Sequence, residues 1–493
     1  MAAASGSSYT VLLTERGGLM CFGGNTFGQL GRGDRENHFL PALLGGVGPV
    51  VGDALEELPG SDAMRAARAL DIGPWGQRAA GQIAAAPHPF GGEALLAVAA
   101  GFQHTVCATD GGAVYAAGYN NDGQLGLGDL EHRSLFARVR LGAAVQMVAC
   151  GWLHTLALTR TGEVWAWGSG GCGQNGHPPT QDQSVPARVA GLAGIAMVAG
   201  GKYHSVAVGA DGCVWTWGES DHGALGHGDA DGIAFAAPRV LGVPVFGGDA
   251  VLFVAAGHAF TAAVTKLGAL WTWGINNNGQ LGLGDLAERR VPAMIADAGP
   301  PPAWGGSSVR MVSCSSSGGD TNTFAVTEDG AVWSWGTSFA GALGHDGTMP
   351  NGMNRRLAPA RIPRAAFGGA RIVLVSAGQG SAKVAVCNHG LVHVWGRGAL
   401  GGAATEQRSD VPLVLSASVF PGARCGRGGG LSRQHTVAFM QGLQTRLGVQ
   451  CVYRGVLDDV ITGVMAQGRV LNEPYKRMHE GLRRLLALDL RLT

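Results

Sequence analysis

Lysine is nearly missing from this chain: Lys202, Lys266, Lys383 and Lys476 are all it has in 493 residues. Charge of either sign is thin, at 14% of residues, against about 25% in ordinary globular chains. The formal net charge is +1. A protein that grips nucleic acid carries a basic excess or a clustered basic face, and the overall balance offers neither. The cysteines stand at 21, 107, 150, 172, 213, 314, 387, 425 and 451, and no two form C-x-x-C. Structural zinc needs close ligand pairs, and disulfide scaffolds are short and cysteine-dense. The expectation is reduced, buried thiols in a cytoplasmic or nuclear protein. No unbroken apolar run reaches about 18 residues, so no membrane span is expected. The opening MAAASGSSYTVLL has no basic n-region and too short an apolar run for a signal peptide. There is no G-x-x-x-x-G-K-[ST] phosphate loop, and no Ser-His-Asp set presents itself.

What the chain has in quantity is glycine, 84 residues, beside a normal apolar share of 46%. That combination fits many tight turns between short buried strands. The turns repeat. FGGNTFGQLGRGD at 22–34 returns as AGYNNDGQLGLGD at 117–129, WGESDHGALGHGD at 217–229, WGINNNGQLGLGD at 273–285 and WGTSFAGALGHD at 335–346. A single phosphate loop would occur once and open a helix; this stretch recurs after strand-like runs. It reads as a glycine turn with a buried leucine peg at Leu30, Leu125, Leu225, Leu281 and Leu343. Asp34, Asp129, Asp229 and Asp285 are expected to bond local backbone.

A second motif lies thirteen residues upstream of each second aromatic slot: GFQHTVCAT, GWLHTLALT and GKYHSVAVG, with His104, His154 and His204. The same slot holds Tyr9, Phe260, Asn322 and Ala382, and His435 marks one further copy. The eight positions are separated by 95, 50, 50, 56, 62, 60 and 53 residues. The period is therefore about 50 residues, in the range of propeller repeats, and the long first gap carries an insertion near 44–92. Alternating runs around Thr-Gly and Asp-Gly predict a hairpin in each repeat. VQMVACG-like runs before it and SVPARV-like runs after it supply two more strands. Four short strands per repeat fit a blade.

The pattern G-x-x-H-T-x-A-L-T-x-x-G-x-V-W-x-W-G-x-N-x-x-G-Q-L-G-x-G-D, clearest at 151–168 and 273–285, closely resembles the repeat of the regulator of chromosome condensation family. The resemblance covers residues 8–440 and implies an all-β, seven-bladed β-propeller. It implies less about function, because one fold hosts many activities. Members of that family act as guanine-nucleotide exchange factors for a Ran-type small GTPase, chromatin binders, ubiquitin-ligase modules, a plant UV-B receptor and secreted inhibitors. The domain reading is a propeller over 1–440 and a helical extension over 441–493. The chain starts inside a repeat, at the Tyr9–Leu13 strand. ARCGRGG at 423–429 looks like the strand that should precede it, so a C-terminal strand is expected to close the ring. HTVAF at 435–439 duplicates Tyr9–Leu13, and which of the two takes the shared place is open. In the tail, VLDDVITGVM and NEPYKRMHEGLRRLLALDLRL predict two helices, with Asn472 as cap and Pro474 in a first turn.

The chemistry-bearing residues read as structural. The histidines fill equivalent places in different blades, so a ring holds them apart, whereas metal ligands must converge. The tryptophan pairs 165/167, 215/217, 271/273 and 333/335 share one face of a strand and read as packing between blades. Only Trp152 matches the tryptophan-bearing corner of the UV-B receptor; Phe102, Lys202 and His258 replace the others, so light sensing is not expected. No catalytic, cofactor-binding or metal-ligating residue is assigned. The candidate partner-binding residues are Glu56, Glu57 and Asp62 in the insertion, and Arg355 and Arg356 in RRLAPARIPR, which also carries Arg361 and Arg364. The basic-patch reading of that segment stands against a solvated loop. The expected function is a non-enzymatic protein–protein interaction scaffold, with an exchange factor or a chromatin-binding adaptor as alternatives. A small GTPase or a ubiquitin-system component is the expected kind of partner.

Overall fold

Short strands of this kind bury themselves only against copies of themselves. HTLALT shows it: His154–Thr159 is buried at all six positions, although its sequence alternates. Both faces of that strand are covered because the blades on either side stack against it. The structure is a computed structural model describing residues 2–414, apart from 15–16, 45–88, 179–180, 233, 296–303, 316–320, 339–340, 346–354, 379, 381 and 398–407. The insertion acids Glu56, Glu57 and Asp62, the copy at His435 and the helical extension over 441–493 lie outside the described residues.

The described strands form seven four-stranded antiparallel sheets, each in chain order. The blades span 2–44, 95–139, 145–188, 195–241, 251–294, 309–361 and 372–414. In each, the inner strand leads through a corner loop, G-x-x-H in blades two to four, to the second strand. A hairpin leads to the W-x-W strand, and a glycine loop leads to the outer strand. Corners and glycine loops therefore share one end of every blade, the corner face. Hairpins and blade-to-blade links share the other, the hairpin face. Leu44 and Pro89, which flank residues 45–88, both belong to the hairpin face.

Blade one corrects the expected ring closure. Its inner strand is Ala2–Ser5, paired with Tyr9–Leu13 from Ala2↔Leu13 to Ser5↔Thr10. The chain starts at the beginning of a repeat, and a strand of its own fills the place reserved for a C-terminal one. The sequence hid this because AAAS has no apolar pattern, and small residues suffice beside the shaft. Blade one meets blade seven through Leu12, Met20 and Phe22 against Val384, Val386, Val392 and Val394.

Polar bonds join the other seams. Between blades two and three, Thr155 Oγ1 donates to the Gln124 carbonyl at 2.8 Å, and Trp167 Nε1 donates to the same oxygen at 2.9 Å. His104 Nε2 lies 3.1 Å from Thr155 Oγ1. The threonine's single proton is already committed, so the imidazole must donate: it is neutral, with its proton on Nε2. Burial pushes its pKa down to about 3. Blades three and four repeat the set with His154, Ser205, Gln174 and Trp217. Blades four and five repeat it with His204, Thr261, Ala224 and Trp273. Thr323 and Trp335 bond Gln280 in the next seam, where Phe260 takes the histidine's place. The three histidines thus serve three different seams as structural donors. The leucine pegs are buried, and Asn25, Asn120 and Asn276 brace their loops. Asn276 Oδ1 accepts from Leu281 N at 3.0 Å while its Nδ2 donates to the Asp285 carbonyl at 2.9 Å. Asp34, Asp129 and Asp285 each accept a backbone N–H two residues on. Asp229 instead holds Arg239.

A further repeat went unread in the sequence. PFGGEAL, VFGGDAV, AWGGSSV and AFGGARI place Phe90, Phe246, Trp304 and Phe367 five residues before an inner strand. Each ring wedges a seam: Phe246 lies 5.8 Å from Trp271, Trp304 5.5 Å from Trp333, and Phe90 5.5 Å from Tyr115. The paired glycines are required because both take left-handed φ, +64° and +84° at Gly305 and Gly306.

Candidate partner-binding face

The corner loops build the most distinctive surface. Gly151 N donates to the His154 carbonyl at 2.9 Å, closing a turn too tight for a side chain. A Cβ at Gly151 would lie 1.9 Å from His154 Cε1 and 2.6 Å from the Gly201 carbonyl oxygen. Neighbouring corners are also joined through backbone: Ser7 N to Phe102 O, Phe102 N to Trp152 O and Lys202 N to Gly257 O, all at 3.1–3.2 Å. The two residues between glycine and histidine are thereby fixed, side chains outward. Blades two to five present Phe102, Trp152, Lys202, Tyr203 and His258, all partly exposed.

These side chains touch one another. Phe102 meets Trp152 edge-on at 5.0 Å, and Trp152 meets Tyr203 at 5.7 Å. Lys202 Nζ sits 3.7 Å above the Trp152 ring and 3.1 Å from His258 Nε2. Burial, then the adjacent ammonium, pushes His258 down to about 4, so its imidazole is neutral and accepts from Lys202. Burial also lowers the Lys202 pKa, against the opposing pull of Glu219. Lys202 forms no ion pair among the described residues. Carboxylates flank the aromatic run, Asp122 on a glycine loop and Glu219 at the end of strand Val214–Glu219: burial and then Asp182 raise Asp122, and burial and then Asp221 raise Glu219. At the outer side, Arg290 ties blade five to blade four through the Asp229 carbonyl at 2.7 Å and the Asp231 carboxylate at 2.9 Å. The surface is a rigid aromatic patch with one under-paired cation and a carboxylate rim.

The structure separates the arginines of RRLAPARIPR. Arg355–Arg361 is the outer strand of blade six, not a loop. Arg355 and Arg356 stand at its corner-face end, where Arg355 Nη1 donates to the Asn277 carbonyl at 3.2 Å. Arg361 and Arg364 stand toward the hairpin face, 3.7 and 3.4 Å from Asp329. The four do not make one patch. The corner cluster was missed at the sequence level, although its signal was present: the positions between glycine and histidine are the ones that vary from blade to blade. Among the described residues no helix is long and apolar enough to cross a membrane.

Fold and face together define a class: a seven-bladed propeller that presents fixed corner loops of varied chemistry. Models of the Regulator of chromosome condensation (RCC1) repeat match residues 111–158, 161–208, 211–264, 268–325 and 329–382. A second model of the same repeat matches 2–29, 96–124, 145–174, 195–224 and 251–280. These matches span more than half of the chain, and the chain belongs to the RCC1 repeat family. It is similar to human E3 ubiquitin-protein ligase HERC2, 37% identical over 125 residues, 24% of this chain and 2% of that protein. It is also similar to the Arabidopsis thaliana ultraviolet-B receptor UVR8, 39% identical over 103 residues, 21% of each chain. The match thus spans only a small part of either relative. Among solved structures it resembles Prp20p from Saccharomyces cerevisiae, described with its binding to Gsp1p and histones. There the TM-score is 0.56 and the identity 21%, over 77% of this chain and 80% of that one.

Proposed function

We propose that this chain is a non-enzymatic interaction scaffold that docks a protein partner on the corner face of blades two to five. One observation carries the reading: the contiguous, partly exposed run of Phe102, Trp152 and Tyr203 with Lys202 seated on Trp152. Interfaces concentrate their energy in such aromatic anchors, and rigid loops reduce the ordering cost of binding. The arrangement offers grip and shape rather than bond chemistry. Under this reading Arg355 and Arg356 extend the contact at the rim of the same face. Glu56, Glu57 and Asp62, whose insertion departs from the hairpin face, serve a separate contact. A ubiquitin-system partner is a finer proposal that draws on the likeness to HERC2, and a cytoplasmic or nuclear location is a further proposal that rests only on the scattered, unpaired cysteines of the sequence.

The second reading is nucleotide exchange on a Ran-type GTPase, with chromatin binding beside it. Both draw on what Prp20p binds, and at 21% identity that likeness carries the fold alone. Release of fluorescent GDP from a panel of Ran-like GTPases separates the readings. A scaffold leaves the release rate within about twofold of buffer. Acceleration beyond about tenfold, ~1.4 kcal/mol off the release barrier, overturns the scaffold reading in favour of exchange.

A further inference from the structure

The aromatic run of the corner face supplies grip, and the charges around it decide what can be gripped. The arginines beside it are already consumed. Arg133 pairs with Asp129 at 2.6 Å, Arg289 with Asp285 at 2.6 Å, and Arg290 with Asp231 and Glu288 at 2.9 and 2.7 Å. Arg239 holds Asp229. Each of these pairs cancels within its own blade or across one seam, and none leaves a cation for a partner to meet.

What remains over blades two to four is acidic. Asp122 and Glu131 in blade two, Asp182 just before the outer strand of blade three, and Glu219 and Asp221 in blade four are all at least partly exposed. None of the five forms an ion pair among the described residues. Backbone bonds position two of them without cancelling their charge: Asp182 Oδ1 accepts from Gly170 N at 2.9 Å, and Asp221 Oδ1 from Gly232 N at 2.6 Å. Asp122 and Asp182 repel each other across the seam between blades two and three, as do Glu219 and Asp221 within blade four. Against these five carboxylates stands one ammonium. Lys202 is already met by the Trp152 ring and by His258 Nε2. It also shows which guest the rings accept: a cation seated on an aromatic face, with a carboxylate in its field. Arg355 and Arg356 lie further round, at blade six, outside this acidic stretch.

We propose that the corner face selects a basic segment of its partner: a stretch with at least two arginines or lysines lying over blades two to four, and an apolar side chain against Phe102 and Trp152. One cation answers Asp122 and Asp182, and another answers Glu219 and Asp221. The inference rests on the corner-face docking reading and adds the charge of what docks. Complementary potentials steer encounter and refuse wrong partners. An acidic segment would meet five like charges to reach one ammonium. Arginine is favoured over lysine, because its planar head can stack on an exposed ring and fork onto a carboxylate.

The test is selection of a phage-displayed library of random twelve-residue peptides on the full chain, with Trp152→Ala as the counter-target. Enriched peptides should be net positive, carry at least two arginines or lysines, and bind more weakly as salt rises. Asp122→Asn combined with Glu219→Gln should weaken them at least tenfold, with a thermal midpoint near that of the parent. Asp110→Asn combined with Asp211→Asn makes the same change in net charge on the hairpin face and should leave binding unchanged. Lys202→Met, which keeps a stem over the ring, should leave it unchanged or tighter. Acidic or uncharged winners overturn the inference, as does a tenfold loss on Lys202→Met, which would make the ammonium the reader. Winners that ignore Asp122 and Glu219 overturn it too, yet leave corner-face docking standing, because they were selected for needing Trp152. No enrichment over the counter-target removes the docking reading and this inference together.

Discussion

Thr155 has one hydroxyl proton, and the Gln124 carbonyl takes it; the hydroxyl oxygen then accepts from His104. Thr155→Val removes that acceptor and strands a buried imidazole N–H. The expected cost is about 1–3 kcal/mol, read as a lower urea midpoint. His104→Phe on top of it should recover much of the loss, because Phe260 already fills the equivalent slot beside Thr323. Additive losses in that double-mutant cycle would break the bonding scheme. The same histidines set a pH dependence. Burial holds His104 and His154 at about 3 and His204 at about 4, below the ~6.5 of a free imidazole. The unfolded chain therefore binds more protons between those values. Stability is full above about pH 6.5 and falls as the pH drops toward the folded values. At pH 5 the loss is about 2 kcal/mol per imidazole, and His154→Phe should remove one such share. Equal pH sensitivity in parent and variant would contradict neutral, buried histidines.

At the scale of elements, two glycines separate strain from collision. Gly305 has left-handed φ and open space around its would-be Cβ, so Gly305→Ala should cost only the conformational term, about 1–2 kcal/mol. Gly151→Ala drives a methyl group into its own histidine and the next blade's backbone, and should cost about 3 kcal/mol or more. Phe246→Ala, which empties a seam between blades four and five, should cost about 3–5 kcal/mol. Thermal or urea midpoints rank the three, and a Gly305→Ala loss as large as that of Gly151→Ala would refute the distinction. Strand order, blade count and leucine pegs were legible because the repeat displays them several times over. Three features were not. Ala2–Ser5 has no pattern of its own. The aromatic-Gly-Gly wedge lies in the links, where the repeat period is uneven. Phe136, whose N–H allows the Arg32–Leu135 bridge to blade one, stands where the other outer strands carry proline, and only the register shows it. The corner face escaped for the opposite reason: its residues differ from blade to blade, while repeat reading attends to what is kept.

At the scale of the molecule, the ring closes by packing blade one on blade seven, with Ala2–Ser5 as blade one's own inner strand. Deleting residues 2–5 should lower the thermal midpoint by about 1–2 °C or more, roughly the shift that 1–2 kcal/mol gives in a chain of this size. An unchanged midpoint would mean that another strand fills the place. A closed propeller with two differently equipped faces is suited to holding partners at fixed positions. The most direct test is quantitative affinity purification of the full chain beside a Trp152→Ala, Lys202→Ala variant of unchanged thermal midpoint. A scaffold docking through the corner face predicts a defined partner set that falls at least tenfold on the variant. The same partners in the same amounts on both proteins would contradict it.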